Sequence, residues 1–335
     1  MPFIDEIIKY KSLSIVGLEK NTGKTECLNY VLRRLEGSGR RLALTSIGID
    51  GERIDQVTHT GKPEIDLYEN IVFITSETHY RQKRLDSEIL DITTRRTPLG
   101  RLVTARSLAR GKVMFSGPSD TLWLKTIIEN MAAYKVDTTI VDGALSRLSP
   151  GSPAVTECMI LNTGAAVSAN IPKLVSRTRF VYNLIKIPAF QSCLTDKLLA
   201  LEKGIWAIDN NNQIHDLQIP SVFLLKGHEE QLFRFGTTLY VTGAVSDKML
   251  DLLRMQKAIR DTVLVIRDFT RLFVKPETFR AFIHSGGQIR VLVNTTLIAV
   301  CVNPVSPEGY VLNSSELCSI LAETLQIPVY DIKKL

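Results

Sequence analysis

Gly17, Gly23, Lys24 and Thr25 lie close enough in sequence to act on one chemical group. The stretch Gly17-Leu18-Glu19-Lys20-Asn21-Thr22-Gly23-Lys24-Thr25 offers an ammonium, a hydroxyl and two positions where the backbone can approach a ligand without a side chain in the way. That set suits phosphate. Consecutive backbone N–H groups wrap the oxygens, the lysine carries charge toward the β- and γ-phosphates of a nucleotide, and the threonine hydroxyl is a hard ligand for Mg2+. The candidate nucleotide-binding residues are therefore Gly17, Glu19, Lys20, Asn21, Thr22, Gly23, Lys24, Thr25 and Glu26, with Lys24 also catalytic and Thr25 also a metal ligand. Five residues, not the usual four, separate Gly17 from Gly23.

Such a loop works only between a strand and a helix, and the flanks predict both. An apolar strand begins at Leu13; after Thr25 the residues Cys27, Leu28, Val31, Leu32 and Leu35 recur on one helical face. A break at Glu36-Gly37-Ser38-Gly39 leads to an apolar run over residues 42–49, read as a buried strand. It ends at Asp50-Gly51. An acid at that tip is placed to face the γ-phosphate or its metal, because ligands of open α/β sheets sit beyond the carboxyl ends of the strands; Asp-Gly is equally a common turn pair. A second acid, Asp142, closes the β-branched run over residues 136–141 and is followed by Gly143. A strand-end carboxylate in a phosphate-loop protein holds the Mg2+ or its water shell. The expected metal set is Thr25, Asp50 and Asp142, with Asp50 also catalytic.

Composition excludes several classes. The chain has 335 residues, 44% hydrophobic and 23% charged, enough apolar material for two cores. Net charge is +6, a mild basic excess that fits an anionic ligand, with nucleic acid not expected. Nine basic residues against three acids fall between Arg81 and Lys112, read either as a solvated face or as a surface that steers a nucleotide or an acidic partner. The cysteines Cys27, Cys158, Cys193, Cys301 and Cys318 are scattered and never spaced Cys-x-x-Cys, so they read as thiols of a reducing compartment. His59, His79, His215, His228 and His284 stand apart from one another and from any cysteine, without zinc-ligand spacing. No Gly-x-Ser-x-Gly elbow supports serine hydrolysis. No guanine-specifying Asn-Lys-x-Asp is found, which favours ATP. Early acids argue against a secretory signal, and the longest apolar runs fall far short of a membrane span, so a soluble cytoplasmic protein is expected.

Further along, strands are expected at residues 71–75, 113–115, 180–187, 221–225, 239–245, 262–266 and 289–293. Helices are expected at 119–134 (capped by Ser119 or Asp120, with Leu122, Ile127, Ile128 and Met131 inward), 156–170, 247–260, 276–285 and from Asn313, where Glu316 makes a capping-box-like start. Strands alternating with helices predict an α/β fold with a mainly parallel sheet flanked by helices. Two regions are expected: residues 1–175, binding nucleotide, and a second α/β domain over 176–335, binding a partner or substrate.

The nine-residue loop has the length of that in dethiobiotin synthetases, Gly-Thr-Asp-Thr-x-Val-Gly-Lys-Thr, and so resembles the nitrogenase-iron-protein-like class of phosphate-loop proteins. The resemblance covers roughly the first half of the chain. It implies a mainly parallel sheet, a homodimer, and Mg2+ held by Thr25, Asp50 and Asp142. Two departures set the chain apart: Glu19 replaces the loop aspartate, and Ile47-Gly48-Ile49-Asp50-Gly51 replaces the lysine-proline segment that handles the amine substrate. The runs Gly17 to Glu26, Leu44-Thr45-Ser46-Ile47-Gly48-Ile49-Asp50-Gly51-Glu52 and Val141-Asp142-Gly143-Ala144-Leu145-Ser146-Arg147 are similar to the KamB-like accessory proteins of lysine 5,6-aminomutase reactivation in anaerobic lysine fermenters. That similarity implies an ATP-binding, ATP-hydrolysing partner role beside a MutS-like ATPase, restoring an adenosylcobalamin-dependent aminomutase. The alternative is an ATP-dependent small-molecule ligase or kinase; stoichiometric modification of a metabolite would distinguish it.

Overall fold

The computed structural model describes residues 2–47, 65–118, 120–144, 155–219, 221 and 229–335. Two compact units emerge, residues 1–179 with 295–335, and residues 180–294.

In chain order the first unit contains α1 (Ile4–Ile7), β1 (Ser12–Gly17), α2 (Lys24–Leu35), β2 (Leu42–Ser46), β3 (Ile65–Leu67), β4 (Val72–Ser76), α3 (Glu77–Gln82), β5 (Ser87–Thr97), β6 (Gly100–Ser107), β7 (Gly111–Val113), α4 (Thr121–Asn130), β8 (Thr138–Ala144) and β9 (Cys158–Gly164). α5 (Ile171–Ile185) contains the boundary between units. The second unit follows with α6 (Thr195–Leu199), β10 (Ile205–Ile208), β11 (Ile214–Ile219), α7 (Glu229–Leu232), β12 (Thr238–Val241), β13 (Val245–Ser246), α8 (Asp247–Arg254), β14 (Val263–Ile266), β15 (Leu272–Phe273), α9 (Pro276–His284) and β16 (Gln288–Val291). The chain then returns to the first unit as β17 (Thr296–Asn303), α10 (Ser314–Leu325) and β18 (Val329–Asp331).

The first unit is built on a nine-stranded sheet ordered β18-β17-β9-β1-β8-β2-β4-β6-β5. Pairing is parallel from β18 to β4, while β6 and β5 add antiparallel strands. This is the expected mainly parallel α/β sheet. Parallel strands covered on both faces read as continuous apolar runs, and every residue of β1 and β9 is buried. Against the sheet, α2 buries Cys27, Leu28, Tyr30, Val31, Leu32 and Leu35, the expected stripe with Tyr30 added.

The second unit centres on a five-stranded sheet, β11-β10-β12-β14-β16. Here β12, β14 and β16 are parallel and are joined through α8 and α9, whereas β10 runs antiparallel to both its neighbours. Leu194, Leu198, Ile208, Tyr240, Val265 and Leu292 form a core cluster.

Several expectations are corrected. Residues 158–164 are a strand, and 180–185 continue a helix, the reverse of the periodicity reading. Cys-Met-Ile-Leu-Asn-Thr-Gly is a short apolar run that fits either state, and burial between β1 and β17 makes it a strand. On α4, Leu122 is 64% exposed while Trp123, Leu124 and Ile127 turn inward. Asp120, one of the two expected caps, takes that place, its Oδ1 accepting the Trp123 amide at 2.8 Å. The apolar run of β17 pairs with β9 instead of staying with a region running unbroken to residue 335, since sequence alone does not name the sheet a strand joins. The basic stretch forms the β5–β6 hairpin with ion pairs Arg101–Glu77, Arg106–Glu88 and Arg95–Asp120, so several of its charges meet acids. Most of the strand expected at 221–225 lies outside the described residues. No helix among the described residues is long and apolar enough to cross a membrane.

Candidate phosphate-binding site

The loop between β1 and α2 folds back over Gly17. A Cβ at Gly17 would lie 2.4 Å from Thr22 Oγ1 and 3.0 Å from both Cγ and Cδ of Lys24. The Lys24 stem therefore runs across the start of the loop, and glycine is the residue that leaves it room. Thr22 is fully buried and donates through Oγ1 to the Glu19 carbonyl at 2.9 Å. Asn21 (φ 61°) and Gly23 (φ 92°) both adopt left-handed backbone, of the kind that turns amides toward an anion.

Gly23 is the N-cap of α2 and offers no side chain to bond the helix amides. The first-turn N–H groups of Lys24, Thr25 and Glu26 thus keep the orphan character of a helix start, together with the positive end of its dipole. Lys24 and Thr25 are half-buried, while Glu19, Asn21 and Glu26 are exposed. The Glu26 carboxylate meets Lys333 Nζ at 2.7 Å. Thr45 and Ser46 close β2, and Asp142 lies two residues before the end of β8, the strand between β2 and β1.

Asp142 sits on β8, directly paired with β1 and in register with Ile15; on its other side it pairs with Ser46 of β2. Its carbonyl accepts the Ile47 amide at 3.1 Å. Asp142 is half-buried at the end of the sheet where β1 delivers the loop. Asp50 lies outside the described residues. A threonine hydroxyl and a carboxylate are the hard oxygen donors Mg2+ prefers, so the described members of the expected metal set fit that ion. Among the described residues, no group of three or more His, Cys, Asp or Glu side chains is gathered around one point.

The C-terminal part of the unit supplies a side of the loop that sequence reasoning missed. Asn303, the last residue of β17, donates through Nδ2 to the Asn21 carbonyl at 3.0 Å. Asn162 on β9 donates to the Val16 carbonyl at 3.1 Å, and its own carbonyl receives the Leu18 amide at 2.9 Å. The buried Asn162 Oδ1 has no protein partner. A Cβ on Gly23 would come within 3.0 Å of Asn303 Cβ and 3.2 Å of Ile332 Cγ2. The available signal was a polar residue ending an apolar strand, the same feature that singles out Asp142. It recurs at Asn162 and at Asn303-Pro304.

No family model and no curated protein matches the chain. Among solved structures, one described as pNOB8 ParA bound to nonspecific DNA aligns at 13% identity and a TM-score of 0.28, covering 53% of this chain and 62% of that one. The match thus spans less than two thirds of that chain's length, and a likeness so slight leaves function to be argued from the residues around the loop.

Proposed function

We propose that this chain is a Mg2+-dependent ATP-binding and ATP-hydrolysing protein, acting as an accessory that helps reactivate an adenosylcobalamin-dependent lysine aminomutase. The observation that carries the nucleotide reading is the loop arched over Gly17, with the Lys24 stem lying across it and an uncapped helix start behind it. Lys24 would hold the β- and γ-phosphates, and the first-turn amides of α2 would bind the same oxygens. Thr25 and Asp142 would hold Mg2+, with Asp50 contributing from beyond β2; the ion supplies neutralisation of charge on the phosphate oxygens. As the second catalytic residue beside Lys24, Asp50 would face the γ-phosphate or its metal.

The accessory role rests on the similarity of three runs, around Gly17, Asp50 and Asp142, to proteins of aminomutase reactivation. Binding of ATP would engage Asp50 and Asp142, and the segments that follow them would bias contact with the aminomutase. A homodimer and a MutS-like ATPase companion belong to the same reading.

Calorimetric titration of Mg·ATP tests the nucleotide half. Wild-type protein should bind, and Lys24→Ala should weaken binding by about 10- to 100-fold, the loss expected for a charge-assisted contact. Equal affinity in the two proteins removes the loop from function. The partner half is tested by adding protein, Mg·ATP and the MutS-like companion to an inactivated aminomutase. Restored turnover is expected, and no rescue in any combination overturns it.

A further inference from the structure

Asn303 stands 282 positions from Asn21 in sequence, yet its side chain holds the backbone of the phosphate loop. We propose that Asn303 is a positioning residue that sets the phosphate-binding conformation of the loop, making nucleotide affinity depend on the docking of the C-terminal strand β17. The proposal rests on the ATP reading above and adds to it the residue that controls the site.

The peptide plane joining Asn21 to Thr22 sets what the middle of the loop presents. Its carbonyl and its N–H point in opposite directions because the peptide is planar and trans. By drawing the Asn21 carbonyl toward β17, Asn303 Nδ2 aims the Thr22 N–H the other way. Asn21 occupies left-handed backbone, which asparagine tolerates better than most residues and which a restraint from outside the loop helps to hold. The bond from Asn303 is such a restraint.

Asn303 is itself fixed. Its carbonyl accepts the Ala165 amide at 2.9 Å, and its Oδ1 accepts the Val305 amide at 3.2 Å. Gly164 (φ 152°) lies so near that a Cβ there would fall 2.0 Å from the Asn303 carbonyl oxygen. A rigid strand end thus presents one donor to one loop carbonyl. The same side chain, with Ile332, fills the space in front of Gly23, the N-cap of α2. The second C-terminal contact, Lys333 with Glu26, joins partly exposed charges and is the weaker restraint.

Two variants separate positioning from support of the fold. Asn303→Asp keeps the acceptor for Val305 and loses the donor to Asn21; Asn303→Ala loses both. Both should bind Mg·ATP about ten-fold more weakly than wild type. A residue that merely braces the turn after β17 would leave the Asp variant silent, and wild-type affinity in that variant overturns the proposal. Amide hydrogen exchange in nucleotide-free protein supplies a readout free of any repulsion between the new carboxylate and phosphate. Exchange over residues 18–25 should accelerate in both variants while β1 keeps its protection, and unchanged loop exchange in both overturns the proposal as well. Failure of wild-type protein to bind ATP would instead remove the ATP reading and leave the exchange comparison to decide the role of Asn303.

Discussion

Adding one methyl group at Gly17 is the sharpest test of the loop geometry. In Gly17→Ala the new carbon would sit 2.4 Å from Thr22 Oγ1, closer than real contacts allow, and 3.0 Å from two carbons of the Lys24 stem. The Gly17 backbone is not left-handed, so alanine brings no dihedral strain and the effect is steric. Relief comes in one of two ways. If buried Thr22 moves, overpacking costs about 1–3 kcal/mol and the lost bond to the Glu19 carbonyl about 0.5–1.5 kcal/mol. The sum, about 3 kcal/mol, lowers Tm by roughly 6–12 °C for a unit of this size. If Lys24 swings away instead, Tm changes little and the lysine leaves the loop. In both cases ATP affinity falls by at least about ten-fold, the cost of a misplaced charge-assisted contact. Thermal unfolding and binding of a fluorescent ATP analogue read the two outcomes. Gly243→Ala is the matched control, because a Cβ there meets nothing within 4 Å and the backbone is not left-handed. It should leave stability unchanged or raise it by about 0.4–1 kcal/mol through the unfolded chain. Wild-type Tm together with wild-type affinity in Gly17→Ala would refute the loop geometry.

Asp142→Asn should preserve the fold and weaken the Mg2+ dependence of ATP binding, read as a smaller difference between titrations with and without the ion; an unchanged difference removes Asp142 from the metal set. The Arg101 guanidinium hydrogen-bonded to Glu77 holds that carboxyl down at about 2, against an ordinary value of 4.5. A depressed carboxylate contributes stability that is fully present above its unfolded value and is lost as pH falls through the folded one, so this contribution fades between about pH 4.5 and 2. Arg101→Met should flatten the acid-unfolding curve over that window, and a curve identical to wild type contradicts the pairing. Thiol titration of native protein should label exposed Cys193 first; Cys158, whose thiol burial pushes up to about 12, should react only on unfolding, as should buried Cys27 and Cys301. Leu122→Lys, at a site 64% exposed, should change stability by no more than about 0.5 kcal/mol, and a large loss would contradict the placement of α4.

The loop and its flanks were legible because their rules are local. Glycine spacing, the lysine-threonine pair and the 3.6-residue stripe of α2 each depend on neighbours a few positions away, and the capping starts at Asp120 and Asn313 follow the same logic. The strand carrying Asp142 was legible too, from a β-branched run ending in an acid. Tertiary structure alone decided that β8 lies directly beside β1, which brings Asp142 to the edge where the loop begins. It also decided that residues 158–164 form a strand, since a seven-residue apolar run fits strand and helix until its neighbours bury both faces. Above all it decided that β17 and the segment after β18 return to the loop. Ile332 and Lys333 carry no local mark of that role, and the strand-end mark at Asn303 does not name the loop as its partner, because hydrogen bonding and close packing act through space whereas a sequence orders residues only along the chain.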